Sequence, residues 1–189
     1  MLTDPFASHP ALTLRRAFLT SFGMTLVLFG VMRALDAPLR TAAAPQGIVS
    51  FELARTPSQA TAILSSWEAH PLAVRYAAFG LGIDYLFLCW YAAAFALACA
   101  AFGRTFERPG GRALGFLLAR LQLLAAALDA VENFSLFQVL LGDVYLTWTQ
   151  TAWGCAVAKF SLLSAAVLYI VAGSGAYVRR RLAARRPSI

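Results

Sequence analysis

The residues best placed to do chemistry in this 189-residue chain are Asp84, Asp129, Glu132 and Lys159, because each lies within a run of apolar residues. Asp84 sits in LGIDYLFLCWY, Asp129 and Glu132 in LLAAALDAVENFSLF, and Lys159 in WGCAVAKFSLL. A charge at the centre of such a run costs about 2.5–3.5 kcal/mol on membrane-insertion scales, so its retention calls for a partner or a task. Tyr91, Gln122 and Asn133 add uncharged polar groups to the same runs. At about 100° per residue, Gln122, Asp129 and Asn133 share one helix face with Glu132 on its flank, and Asp84 and Tyr91 share another.

Three carboxylates facing one ammonium cannot all be neutralised by it. At least one must hold a proton, bind a cation or stay open to water, and a proton shared between two of them is a natural arrangement. Lys159 is the one lysine among 16 basic residues, which points to a compact point charge being needed at that place. The same groups could also act as hydrogen-bonding glue between membrane helices, at about 0.6 kcal/mol per bond. Glue has little use for a surplus of acid, so a ligand, proton or substrate role is the better reading.

These residues must be positioned by membrane-spanning helices. The composition is 60% hydrophobic and 13% charged, far from a soluble domain's about 45–50% and about 25%. The apolar residues fall in four blocks long enough to cross a bilayer, at about 15–35, 72–102, 112–141 and 152–178. The first block resembles a signal peptide in its basic start, but Pro38 and Pro45 stand where a mature chain would begin, and it is read as a span. An all-α, four-helix transmembrane bundle forming a single domain over 1–189 is expected. At 1.5 Å per residue, Asp84 and Lys159 should lie roughly 10–13 Å below the outer surface, and Asp129 and Glu132 roughly 13–18 Å below it.

The arginines set the expected orientation. Arg15 and Arg16 precede the first span, Arg104, Arg108 and Arg112 join the second to the third, and Arg179, Arg180, Arg181, Arg185 and Arg186 follow the fourth. The loop GDVYLTWTQT carries no Lys or Arg. Both termini should therefore be cytoplasmic, in a bacterial inner membrane, with Trp67, Tyr76, Tyr145, Trp148 and Trp153 in an outer aromatic belt. The basic tail reads as a topology anchor that stops translocation, the alternative being a site for anionic lipid.

The external loop, 36–71, opens with a turn at Pro45–Gly47 and then IVSFELA, where Val49, Phe51 and Leu53 alternate with polar residues as in a short strand or extended stretch. Thr56-Pro57-Ser58-Gln59 is a capping box with proline at the first helical position, so an amphipathic helix over about 57–69 should follow. That segment either packs the loop down or forms a lid, with Glu52 and Trp67 as the lid residues.

Several classes are excluded. His9 and His70 lie outside the spans, which leaves no axial histidine for a haem, no histidine metal centre and no Ser-His pair in the membrane. No cofactor is called for. The charge of +7 comes without a basic stripe interleaved with aromatics, so nucleic acid is not a partner. Cys89, Cys99 and Cys155 read as small buried apolar residues. Three functions remain: binding or transport of a proton, cation or small amphiphilic molecule; an enzyme acting on a lipid or lipid-linked substrate, with Asp129 or Glu132 as acid or base and Lys159 as electrophile; and an accessory subunit of a membrane complex. Gly23 and Gly30, or Ala152 and Ala156, would let helices pack closely in a homodimer or larger assembly.

Overall fold

A computed structural model describes residues 3–183. The tail arginines Arg179, Arg180, Arg181, Arg185 and Arg186 lie outside the residues whose side chains it describes. Among the described residues the regular structure is all helical, with no strand: α1 Ala11–Asp36, α2 Ile48–Glu52, α3 Pro57–Glu68, α4 Ala73–Thr105, α5 Pro109–Leu140 and α6 Leu146–Ala183. Helices α1, α4, α5 and α6 are long and apolar enough to cross a membrane, making this a multi-pass membrane protein with a four-helix bundle.

Punctuation in the sequence sets the helix ends. Pro10 precedes α1, and Pro109 occupies the first turn of α5, where its missing N–H is not needed. Gly142, at φ 108°, turns the chain after α5. Helices α4, α5 and α6 pack on one another as a three-helix core, and α1 leans chiefly on α4. Close approach is built in: a Cβ at Gly115 would meet the Tyr169 hydroxyl and the Cys99 carbonyl, and Ala152 and Ala156 are fully buried. Gly23 and Gly30 do not contribute to this packing; a side chain at either would meet open space. Cys89 is exposed on the helix surface, unlike Cys99.

One end of the bundle, here the terminal end, is closed by the N-terminal segment. Arg104 donates to both oxygens of Asp4, at 2.6 and 3.2 Å, and Arg120 donates to the Thr3 carbonyl at 2.8 Å. The other end, the loop end, carries a 3-10 turn at Ala37–Leu39 followed by α2 and α3. Its core is Leu39, Phe51, Ile63 and Trp67 packed against Ala73, Leu136 and Val139.

Residues 48–52 form a helix rather than the strand their alternation predicts. A lone strand here would have no neighbour to satisfy its backbone groups. In the helix, Ile48 N–H donates to Asp36 Oδ1 at 2.7 Å, and Asp36 Oδ2 also accepts from Arg33 and Arg40, at 3.4 and 3.3 Å. A strand would turn Phe51 and Glu52 to opposite faces, whereas the helix buries both. Trp67 leaves the expected aromatic belt: it is fully buried, donates Nε1–H to the Leu39 carbonyl at 2.7 Å and meets Phe51 edge-on at 5.2 Å. Helix α3 starts with Thr56 accepting from Gln59 N–H while the Gln59 side chain accepts from Thr56 N–H, both at 3.3 Å.

Gly47 is the tight point of this loop. Its φ of 62° suits glycine, and a Cβ there would run into the Asp36 carboxylate. Gly47→Ala should therefore loosen the loop and cost about 1–3 kcal/mol. Thermal unfolding in detergent should show a lowered midpoint, with faster proteolytic cleavage between residues 41 and 55. Wild-type values for both would mean that Asp36 does not hold the loop.

Candidate functional site

Asp84 is eleven residues from the loop-end terminus of α4, and Asp129 is eleven from that of α5, so both lie roughly 16 Å into the bundle. Lys159 is thirteen residues into α6, but side chains lean toward a helix's N-terminus, and its long stem returns the ammonium toward the loop end. These registers bring groups from three helices to one depth.

At the centre, Lys159 Nζ lies 2.5 Å from Asp129 Oδ1 and 2.9 Å from Glu132 Oε2. The Asp129 contact is a charge-assisted hydrogen bond. The Glu132 approach is close enough for an ion pair but off the line of a hydrogen bond, and both Glu132 oxygens lack hydrogen-bond partners. Tyr91 donates its hydroxyl to Asp129 Oδ2 at 2.8 Å, and Asn133 Nδ2 donates to Asp84 Oδ2 at 2.8 Å. The Phe160 ring lies 5.0 Å from the ammonium, in cation–π range. All six polar side chains are buried.

A half-open cavity of about 260 Å³ reaches this cluster between α1, α4 and α6. Its polar wall is Arg33, Asp36, Glu52, Asp84, Asp129 and Lys159, and its apolar wall includes Phe29, Phe87, Phe160 and Leu163. A smaller cavity of about 30 Å³ adjoins it and shares Asp36, Glu52 and Asp84. Among the described residues, no three His, Cys, Asp or Glu are grouped so as to hold a metal ion.

The structure thus brings together Asp84, Tyr91, Asp129, Glu132, Asn133 and Lys159. Gln122 stands apart, donating to the Leu118 carbonyl of its own helix. The two residues assigned to a lid part company. Trp67 lines neither cavity and packs the loop down, while Glu52 enters the site itself, only 6% exposed and with Oε2 lacking a hydrogen-bond partner. Burial pushes the Glu52 carboxyl above its ordinary value; Lys159 opposes the rise, and the charges of Asp129 and Asp36 add to it. Sequence reasoning missed Asp36 and Arg33 in the wall, although Arg33 and Arg40 at i−3 and i+4 of Asp36 were a readable sign of pairing.

No family model, curated protein or solved structure matches this chain.

Chemically, the arrangement presents acid without matching base. Lys159 is engaged by two carboxylates and is not free to polarise an oxyanion. Removing it should leave Asp129 and Glu132 buried without a counter-ion, and Lys159→Met is expected to cost about 3–5 kcal/mol. Asp129→Asn, which keeps the shape, should cost less, and the double variant should be more stable than Lys159→Met alone. Unfolding midpoints in detergent read this directly. A Lys159→Met protein as stable as wild type would show that the ion pair does not hold the helices.

Proposed function

We propose that this protein binds a small organic cation with an apolar body, taken into the cavity between α1, α4 and α6. The observation that carries this reading is the cavity wall: Glu52, Asp84 and Asp129 line it, yet Lys159 is its one deep-lying cation. Arg33, nearer the surface and half-exposed, is already paired with Asp36. A cationic ligand would supply the missing charge, while the rings of Phe29, Phe87 and Phe160 would cover its body and favour its charge. The carboxylates surround the space rather than converge on a point, which suits an organic cation better than a bare ion. Because α1 leans chiefly on α4, a way in from the bilayer between α1 and α6 is available to an amphiphile. The loop-end helices cover the site from the other direction.

An enzyme acting on lipid is less well supported, since its electrophile would have to be Lys159, whose neighbours are carboxylates.

For orientation, we propose a bacterial inner membrane with both termini in the cytoplasm. Arg15, Arg16, Arg104, Arg108 and Arg112 cluster at the terminal end, which fits the positive-inside rule. At the loop end, Arg33 and Arg40 are paired with Asp36, and Arg55 lies 4.6 Å over the Trp153 ring. A fluorescent protein fused after Ile189 should fold and fluoresce in bacterial cells. A periplasmic reporter at the same point should be inactive, and the reverse pattern would overturn the orientation.

Tetraphenylphosphonium is a suitable probe of the binding reading. Calorimetry on the protein in nanodiscs should show one saturable site. Asp84→Asn should weaken binding at least about tenfold through loss of a counter-charge. Leu163→Trp, which fills the cavity without touching its charges, should weaken it as well. No uptake by wild-type protein, or unchanged affinity in both variants, would end this reading.

A further inference from the structure

We propose that a cation entering this cavity displaces a proton from Glu52, so that the protein works as a cation–proton exchanger whose proton leaves toward the loop end. This inference rests on the binding reading and adds the coupling to it.

The charges surrounding Glu52 come from every element packed on the site. They are Asp36 at the end of α1, Asp84 on α4, Asp129 and Glu132 on α5, and Lys159 on α6. Lys159 is committed to Asp129 and Glu132. Asp84 has the Asn133 amide as its donor. The two guanidiniums at the surface are drawn to Asp36, whose oxygens also take the Ile48 N–H. Glu52 is left with no cation of its own and an unpartnered oxygen, in a side chain more than nine-tenths buried. An ionised carboxylate in that position would be desolvated without a counter-ion, whereas a neutral carboxyl removes most of the charge-burial cost. The empty site therefore keeps its proton on Glu52.

When a monovalent cation arrives, the O–H bond of Glu52 breaks, the proton passes to water, and the carboxylate faces the cation. The net charge of the buried centre is the same before and after. That conservation makes the exchange cheap in a medium where adding a charge is not. A route for the proton adjoins the site. The cavity of about 30 Å³ is lined by Asp36, Glu52, Tyr76 and Asp84. It has room for about one water with carboxylates as partners. Asp36, which also lines it, is paired with the half-exposed Arg33 and Arg40.

The sign follows from linkage. Below the pKa of Glu52 in the empty protein, each bound cation releases about one proton, so affinity should rise roughly tenfold per pH unit. Above that pKa no proton remains to be displaced, and affinity should level off. The experiment is titration of the detergent-solubilised protein with tetraphenylphosphonium. Calorimetry in buffers of different ionisation enthalpy, from pH 5 to pH 9, counts protons per cation bound. The wild type should release about one at the lower pH values. Glu52→Gln should bind more weakly, with no proton release and no pH dependence, while its unfolding midpoint stays at or above that of the wild type. Asp84→Asn should bind more weakly and still release a proton. Cation binding with no proton release at any pH would overturn the exchange and leave the binding reading standing. Release that persists in Glu52→Gln and disappears in Asp84→Asn would overturn the assignment to Glu52. No cation binding at all would remove both.

Discussion

An ammonium surrounded by hydrocarbon must have its counter-charge within a few ångströms, and the rest of this bundle is arranged around that demand. Lys159 on α6 can meet Asp129 and Glu132 only if α5 and α6 are packed closely and in one register. Small residues make this possible: Ala152 and Ala156 are fully buried on α6, and Gly115 leaves space for Tyr169 and the Cys99 carbonyl. Tyr91 and Asn133 then tie α4 to α5 through the carboxylates. The attraction of such a pair is offset in part by the desolvation of both ions, so its main effect is to specify which registers are allowed rather than to add stability.

The second constraint lies at the loop end, and Asp36 is its centre. One carboxylate ends α1, starts α2 through Ile48 N–H, holds Arg33 and Arg40, and faces Gly47 so closely that a side chain there is excluded. Trp67 fixes the other side of the loop by donating to the Leu39 carbonyl. Between these two anchors, α2 has little choice of orientation. Glu52 is thereby directed into the cavity and joins Asp36, Asp84, Asp129 and Glu132 as a fifth buried acid. A loop held down merely for packing would bury Phe51 and leave Glu52 facing water.

The spans were legible because apolar length and charge exclusion are properties of single segments, and so was the capping box at Thr56, which needs only four consecutive residues. The meeting of Asp84, Asp129 and Lys159 followed from depth arithmetic along separate helices. Two things were not legible because contacts between distant segments override local patterns, and a third because residues that share a helix face need not share a depth. The alternation of Val49, Phe51 and Leu53 is a strand pattern, yet Asp36 caps a helix there. Trp67 has the composition of a belt residue, yet it is consumed by Leu39 and Phe51. Gln122 shares the face of Asp129, yet it lies two turns away and bonds its own helix.

The distinction between glue and a working site turns on satisfaction. Polar glue in a membrane lowers free energy by closing its hydrogen bonds, and a group left open inside the bundle defeats that purpose. Here the ammonium and Asp129 are closed, but Glu52 and Glu132 have open oxygens, and the cavity reaches Glu52. Gln122, Asn133 and Trp90 also keep an open atom in the α4–α5–α6 core, but of the open groups among the described residues only Glu52 lines the cavity beside α1, the helix that leans chiefly on α4. That asymmetry is what a bundle would show if three helices supplied a fixed charge frame and the fourth helix, with the loop it leads into, supplied the access. The surplus negative charge is then a vacancy for a cation, and the apolar wall defines what kind of cation can remain there.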